Sequence, residues 1–369
     1  MSKLETTLDA ESSASASATT AEAEARRVFG RKVPLWVYGL LALALLVIVL
    51  VSFAIGRFAI APGELVSGIW RHFFAAETIT PGSDYNRIDT TIFNIRIPRI
   101  LLVMLVGAAL SSAGAAYQGM FKNPLVSPDL LGASAGASLG AGLAMLFNQP
   151  MAVVQLCAFG GGLLAVGLAV GLNSLIRYDP VLGLVLGGIM ISTLFQSGMS
   201  FVKLFADAQD KLPALTFWLM GSFHSANLKD LTFAVVPLLC GFGLLLVQGW
   251  NLNVLSFGDE EARAMGVNTR RTRLLVIIGS TLLASVSVAV AGLIGWVGLV
   301  IPHLARAIVG PNYRVLLPCS LFIGASYLLI VDDIARNLTS YEIPIGILTA
   351  ILGVPFFVFI FKHNMKGWR

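Results

Sequence analysis

Residues 274–305 read LLVIIGSTLLASVSVAVAGLIGWVGLVIPHLA and contain no Asp, Glu, Lys or Arg. A helix needs about 20 apolar residues to cross the hydrocarbon layer of a membrane. The run is therefore too long for one crossing and too short for two full crossings. Gly292, Gly295 and Gly298 predict a break that divides it into one full helix and one short helix. A segment of this kind belongs in a lipid bilayer.

The composition of the whole chain also indicates a membrane protein. Hydrophobic residues make up 56% of the 369 residues and charged residues only 12%, whereas soluble domains carry about 25% charged residues. The 37 glycines fit the same environment, because small residues let helix backbones approach closely in lipid. Basic residues lie at the ends of apolar runs and form no stripe, which argues against nucleic-acid binding.

The apolar runs predict an all-α integral membrane protein with a bundle of about ten transmembrane helices. Residues 1–30 are rich in Ser, Ala, Thr and Glu and are expected to form a disordered cytoplasmic tail, and residues 31–369 form the membrane domain. Residues 62–75 show an amphipathic pattern that suits a helix at the membrane interface. The spans are predicted near residues 34–55, 98–118, 127–147, 152–175, 181–202, 231–250, 273–294, 295–309, 315–334 and 343–361.

The distribution of Lys and Arg predicts the orientation of the chain. More of these residues lie on the side of the first basic cluster, Arg26 to Lys32, than on the opposite side. Cytoplasmic loops carry an excess of Lys and Arg, so both termini are predicted to lie in the cytoplasm.

No motif for nucleotide binding or catalysis accompanies the spans. The sequence lacks GxxxxGK[ST], HExxH, CxxC and GxSxG, so we expect no catalytic residue, metal ligand or cofactor on this chain. Ion-coupled carriers place ionisable residues within their spans. Here Asp332 and Asp333 lie near an outer end and His303 near an inner end. A partner is therefore expected to supply the energy for transport, and an ion-coupled secondary transporter is the less favoured alternative.

The strongly charged inner loop GDEEARAMGVNTRRTR, residues 258–273, is the predicted contact for that partner. Asp259, Glu260 and Glu261 suit the N-terminal end of a short helix, where the helix dipole favours negative charge. Gly266 can end this helix. An ordinary solvated loop with basic membrane anchors is the alternative.

Four further stretches carry a family resemblance. They are RIPR at 96–99, QGMFKNPLVSPDLLGASAGA at 118–137, GLIGWVGLVIPHLAR at 292–306 and EIPIGILTAILGVPFF at 342–357. With the charged loop, they resemble in order the FecCD-type permeases, the membrane subunits of ABC importers for iron-siderophores, haem and cobalamin. The resemblance covers about residues 35–363.

The resemblance implies a type II ABC importer permease in a bacterial or archaeal cytoplasmic membrane. Two copies of the chain would form a homodimer around a central path. Two copies of an ABC ATPase would bind ATP and Mg and would contact the loop of about residues 256–272. A periplasmic or lipid-anchored binding protein would deliver the substrate. The implied ATPase-coupling residues are Asp259, Glu260, Glu261, Ala262, Arg263, Met265 and Gly266.

The resemblance also implies roles for residues at both membrane faces. Arg96, Arg99 and Arg336 look like the set that meets acidic groups of the binding protein, since guanidinium groups favour carboxylates. These arginines could instead anchor helix ends, and Asp333, one helical turn from Arg336, could pair with it. The implied cytoplasmic gate comprises Asn123, Pro124, Leu125, Pro180 and Val181. Three polar residues, namely Ser192, Gln196 and Ser200, either line the pore or pack between helices.

The substrate is expected to be a metal chelate. Importers of molybdate or tungstate belong to the same family, and an oxyanion site would call for basic groups in the pore. Lys203 is the one basic residue expected there, which favours a chelate. Siderophore, haem and cobalamin are not separated by the sequence.

Overall fold

The computed structural model describes residues 33–56, 60–74, 84–175 and 180–364. Within these ranges the chain is helical and has no strand. The predicted tail of residues 1–30 lies outside the described residues. The helices are α1 Leu35–Ala54, α2 Pro62–Phe74, α3 Asp84–Met120, α4 Ala133–Leu146, α5 Met151–Leu175, α6 Pro180–Phe205, α7 Lys211–Leu219, α8 Leu228–Val247, α9 Gly249–Leu255, α10 Asp259–Ala264, α11 Thr269–Ala291, α12 Val297–Val309, α13 Tyr313–Asn337 and α14 Ile345–Asn364.

Seven helices in the described part of the chain are long and apolar enough to cross a membrane: α1, α3, α5, α6, α8, α11 and α13. Three shorter apolar helices, α4, α12 and α14, correspond to the remaining predicted spans. Two boundaries differ from the prediction. Helix α3 begins at Asp84 rather than near residue 98, and a π-helical stretch, Thr90–Arg96, continues it towards its outer end. Helix α4 starts at Ala133 rather than 127, because Pro128–Leu131 forms a separate 3₁₀ turn that ends at Gly132 with φ +87°.

The centre of the bundle consists of α3, α11 and α13, which are the most buried of the long helices, whereas α1 lies at the periphery. Small residues allow the central helices to approach closely. A Cβ atom added at Gly107 of α3 would lie 2.3 Å from the carbonyl oxygen of Gly324 in α13. Ser111 of α3 donates a hydrogen bond of 2.7 Å to the carbonyl of Ser320. The glycines in these spans thus serve backbone packing between helices.

The predicted break in the run 274–305 is confirmed. Helix α11 ends at Ala291, and the backbone adopts positive φ angles at Gly292 (+69°) and Trp296 (+70°) before α12 begins. The loop after α7 packs against this break, with the Ser222 amide donating to the Ala291 carbonyl at 2.9 Å. The start of α14 joins the same region, because the Ile345 amide donates to the Gly221 carbonyl at 2.8 Å. Irregular backbone inside a membrane is tolerated where protein groups satisfy it or where it lines a cavity.

Candidate functional site

A polar cavity of about 490 Å³ lies between α4, α6 and the break before α12. Ser192, Gln196 and Ser200 lie one helical turn apart on α6, and all three line this cavity. The structure therefore brings the three predicted pore residues to one surface. The remaining polar lining residues are Asp129, Ser134, Ser138 and Lys203. Leu219, Leu293, Ile294 and Gly295 close the cavity from the region of the break.

Asp129 is a cavity residue that the sequence analysis did not single out. Its carboxylate, at the 3₁₀ turn before α4, accepts a hydrogen bond from the Ser134 hydroxyl. Ser138 donates to the Ser134 carbonyl at 2.7 Å, and Ser200 donates to the Gln196 carbonyl at 3.1 Å. Since these two hydroxyl protons are used within helices, both oxygens remain as acceptors towards the cavity. The sequence Ser-Pro-Asp directly before a helix of small residues was the available signal for this residue. Only the folded chain shows that Asp129 faces α6.

The inner turn after α3 contains the predicted gate residues Asn123, Pro124 and Leu125. The Asn123 side chain accepts a hydrogen bond of 2.9 Å from the Leu125 amide and so shapes the turn. The Leu125 side chain is 53% exposed. Val181 lies in the first turn of α6, and the side chain of Pro180 is outside the described part of the structure. The gating role of these residues stays a prediction.

Two side chains attach this turn to α12. The Nε2 atom of His303 lies 2.9 Å from the Pro124 carbonyl, where a ring N–H donates to the oxygen. The amide of Gln118, which is 2% exposed, donates to the carbonyls of Val126 and Leu299 at 3.3 Å each. The His303 ring also packs edge-on against Phe357 at 5.7 Å. The turn and α12 are therefore held together as one unit.

The charged inner loop forms the short helix α10, as its sequence predicted. Gly258 (φ +136°) precedes the helix and Gly266 (φ +79°) follows it, and both adopt backbone angles that favour glycine. Ala262, on the covered face of this helix, is fully buried. The opposite surface is exposed and presents Glu260, Glu261, Arg263 and Met265.

An ion pair connects α10 to the transmembrane helix α11. The Arg273 guanidinium donates to the Asp259 carboxylate at 2.7 Å, and the Arg273 side chain is only 10% exposed. A charged pair that is largely removed from water is less screened than a surface pair. Helix α10 is thus joined to the membrane-spanning helix α11 through a partly buried ion pair.

The three predicted docking arginines lie near one another at one end of the bundle, and their guanidinium groups contact groups of the same chain. Arg99 donates to both carboxylate oxygens of Asp332 and to Glu342. Arg336 pairs with Asp333, as the spacing predicted, and donates to Ser52. Arg96 is 4% exposed and donates to the Phe53 carbonyl. The binding-protein role of these arginines stays a prediction, while the structure gives each of them an internal contact.

Glu342 extends the network of Arg99 to the loop before α8. His224 lies 3.0 Å from the second carboxylate oxygen of Glu342. Burial alone would raise the pKa of this carboxyl, but the hydrogen bond and charge of Arg99, assisted by His224, lower the pKa below its usual value. The Glu342 carboxylate is therefore stabilised in its ionised form.

Comparison with known proteins gives a consistent result. The profile of the FecCD transport family matches residues 44–363. The molybdate import system permease protein MolB of Haemophilus influenzae is 40% identical over 330 residues, which cover 89% of this chain and 96% of that protein. A probable iron chelatin transport system permease of Helicobacter pylori is 37% identical over 297 residues, covering 80% and 88% of the two chains.

A solved structure supports the same fold. It is described as an inward-facing conformation of a proposed metal-chelate type ABC transporter. The matching chain is 37% identical in sequence, with a TM-score of 0.79, and the match covers 90% of this chain and all of that one.

Proposed function

The chain belongs to the FecCD transport family of ABC transporter permeases, and from this premise we propose that it imports a metal chelate delivered by a binding protein. It is a multi-pass membrane protein, and its proposed orientation has both termini in the cytoplasm. The proposed assembly contains two copies of this chain and two ATPase subunits, which bind ATP and Mg. Its substrate path runs along the polar cavity on α6.

The position of Asp129 is the observation that carries the choice of a chelate. In its ionised form the Asp129 carboxylate repels a doubly charged oxyanion, and it accepts hydrogen bonds from a neutral or cationic ligand shell. Serine and glutamine side chains supply most of the other polar groups. Such a surface suits a bulky, weakly bound cargo whose affinity for the assembly comes from the binding protein.

Molybdate is the second candidate. The Haemophilus influenzae relative named for molybdate is 40% identical over nearly its whole length, and Lys203 adds a positive charge to the cavity. Against this candidate, Asp129 offsets that charge within the same cavity.

Contacts on the inner side supply a route by which an ATPase could move the turn of residues 123–125. The buried side chain of Asn253, in α9 just before α10, donates to Asn312 at 2.8 Å and accepts from the Tyr313 amide at 2.7 Å. The Tyr313 ring lies directly against Gly119 at the end of α3, where an added Cβ would approach it within 2.6 Å. Through His303, α12 also holds Pro124. Motion of α10 would therefore reach the turn from two sides.

Transport by the reconstituted assembly tests the proposal. The chain, its ATPase and its binding protein are placed in liposomes, and ATP-dependent uptake of a ferric siderophore, haem, cyanocobalamin and molybdate is measured separately. Uptake of one of the chelates supports the proposal. Uptake of molybdate alone replaces it with the second candidate. Uptake that continues without the ATPase but stops when the proton gradient is removed would contradict an ATP-driven mechanism.

The Asp129→Asn variant tests whether this carboxylate excludes molybdate in favour of a chelate. Loss of the carboxylate charge is expected to change chelate uptake little and to relieve the exclusion of molybdate. Ser174→Ala is the matched control, because Ser174 lies in α5, is exposed and does not line the cavity. Unchanged exclusion of molybdate in the Asp129→Asn variant would show that this carboxylate does not determine the cargo.

A further inference from the structure

Helix α2, Pro62–Phe74, has three different faces. Leu65, Gly68 and His72, spaced three and four residues apart, face the outer part of α3. Leu65 packs against a buried cluster of Ile60, Ile88 and Ile92. A Cβ added at Gly68 would lie 3.1 Å from both Ile88 and Ile92. This first face is covered by the chain itself.

The ring of His72 fixes the first face in place. Its Nδ1 atom lies 2.7 Å from the Asp89 carboxylate, and the ring stacks on Phe93 with centroids 3.6 Å apart. Arg71, next in the sequence, lies over the Tyr85 ring at 3.6 Å. Because Asp89, Phe93 and Tyr85 all belong to α3, α2 and the start of α3 form one packed hairpin.

The second face is polar and includes Glu64, Ser67 and Arg71. The Glu64 carboxylate accepts a hydrogen bond of 3.0 Å from the Ala61 amide, and the Ser67 hydroxyl donates to the Glu64 carbonyl at 3.1 Å. The side chains of Glu64 and Ser67 remain at the molecular surface when they make these contacts.

The third face is apolar and uncovered in the described structure. Val66, Trp70 and Phe73 follow one another at helical spacing with side chains 69%, 62% and 67% exposed. Ile69 and Phe74 widen this surface, and Trp70 stacks on Phe74 with centroids 4.4 Å apart. The uncovered apolar face and the polar face occupy separate sides of the helix, as in helices that lie in a membrane interface.

We infer that α2 lies flat in the lipid–water interface, with Val66, Trp70 and Phe73 inserted among the lipids. Continuity with α1 identifies lipid as the occupant of this surface. Helix α1 contacts α2 and carries the exposed side chains Leu43, Leu46 and Leu50 at the periphery of the bundle. Phe53, at the end of α1, packs onto the same isoleucine cluster as Leu65, so α2 lies beside the end of the peripheral helix α1.

This position gives α2 a mechanical role. The hairpin connects the lipid surface to the outer end of α3, which contains the π-helical stretch Thr90–Arg96 and leads directly to Arg99. Tryptophan and other aromatic residues are favoured at the interface and hold a segment at a fixed depth. Helix α2 thus sets the height of the outer end of α3. The inference requires only the membrane location and is independent of the cargo.

Spin labels on the full chain in liposomes test the inference. The native cysteines Cys157, Cys240 and Cys319 are replaced by alanine, and single labels are attached through Val66→Cys, Phe73→Cys and, as the control on the polar face, Glu64→Cys. Collision rates are measured with oxygen, which concentrates in lipid, and with a nickel complex, which stays in water. Labels at 66 and 73 are expected to favour oxygen, and the label at 64 to favour nickel.

Two results would overturn the inference. Preference for nickel at 66 and 73 would place the apolar face in water, where a binding protein could cover it. Low collision rates with both reagents, together with dipolar broadening between labels, would place the face against a second copy of the chain. Quenching of Trp70 fluorescence by brominated lipid, measured as the difference between the native chain and the Trp70→Phe variant, gives an independent reading without a label. Depth measurements do not depend on transport, so a failed uptake assay and a failed inference are distinguishable.

Discussion

Arg99 shows how a buried charge is accommodated at one end of the bundle. Its Nε and Nη2 atoms donate to the Asp332 carboxylate at 3.0 and 2.7 Å, and Nη2 also donates to Glu342. Asp332 is fully buried and Arg99 is 9% exposed. Since an unpaired buried charge is far more costly than an exposed one, the three residues depend on one another.

Substitution of Arg99 should therefore destabilise the fold strongly. Arg99→Ala leaves two carboxylates without their main partner, and the free energy of unfolding should fall by about 3–5 kcal/mol. Arg87→Ala is the matched control, because Arg87 and Asp84 form a 3.7 Å ion pair that is largely exposed, for which about 0–1 kcal/mol is expected. Denaturant titration of both variants in detergent micelles measures the difference. Equal losses would contradict the view that burial makes the Arg99 network important.

Glu342 should make stability depend on pH. Its pKa in the folded chain lies below the ordinary value of 4.5, because the stabilising effect of Arg99 and His224 exceeds the effect of burial. The carboxylate therefore contributes stability above pH 4.5, and this contribution is lost as the pH falls through the folded-state pKa. The Tm of the native chain should exceed that of Glu342→Gln at neutral pH, and the difference should shrink in acid. A difference that stays constant with pH would rule out ionisation of Glu342 as its source.

At the scale of the elements, the crossing of α3 and α12 depends on two glycines. A Cβ added at Gly114 would lie 1.8 Å from the Gly298 carbonyl oxygen, and one added at Gly298 would lie 2.8 Å from the Leu110 carbonyl oxygen in α3. No side chain can rotate away from such a contact, because Cβ and the opposing backbone are both fixed. The two helices can approach this closely only without side chains at these positions.

Gly114→Ala should thus force α3 and α12 apart. Overpacking of this kind costs about 1–3 kcal/mol, and the inner turn attached to α12 should shift with it. Gly160→Ala in α5 is the control, because nothing lies within 4 Å of the added Cβ and alanine favours a helix by about 1 kcal/mol over glycine. Thermal unfolding in micelles should show a lower Tm for Gly114→Ala and an equal or higher Tm for Gly160→Ala. Similar Tm changes in both variants would show that the crossing is more tolerant than its geometry indicates.

Sequence patterns predicted elements well where the signal is local. The break at Gly292 follows from an apolar run of the wrong length, and the Asp333–Arg336 pair follows from residues one turn apart. The pair of Arg99 with Asp332 spans 233 positions and leaves no periodic signal. The start of α3 at Asp84 was missed because its first turns carry charges that an apolar window excludes.

The same difference between local and long-range signals explains which cavity residues the sequence predicted and which it missed. Ser192, Gln196 and Ser200 share a helical face, so their common surface could be predicted from spacing alone. Asp129 reaches that surface only because the 3₁₀ turn and Gly132 bring the start of α4 against α6, where a Cβ on Gly132 would lie 2.9 Å from the Ser192 hydroxyl. Tertiary packing of this kind is not encoded in any local pattern.

At the scale of the whole molecule, side-chain hydrogen bonds connect the region of α9 to the turn after α3. Asn253 holds the turn between α12 and α13 through Asn312 and Tyr313, and His303 on α12 holds Pro124. Between these contacts α12 is a single helix of 13 residues. A short helix that is held at its middle through His303 and just beyond its C-terminal end through Asn312 can pass a displacement from one contact to the other, as the proposed coupling to an ATPase requires.

Removal of the His303 contact should therefore uncouple the two activities rather than abolish them. His303→Ala removes one hydrogen bond, worth about 0.5–1.5 kcal/mol, so the chain should still fold and stimulate the ATPase, while fewer cargo molecules enter per ATP hydrolysed. His303→Gln keeps a side-chain N–H donor near the Pro124 carbonyl and should restore most of the transport per ATP. Uptake and ATP hydrolysis are measured together on the same liposomes. If uptake and ATP hydrolysis fall in the same proportion in His303→Ala, the residue only supports the fold. If His303→Gln fails to recover transport, the packing of His303 on Phe357, rather than its hydrogen bond, transmits the motion.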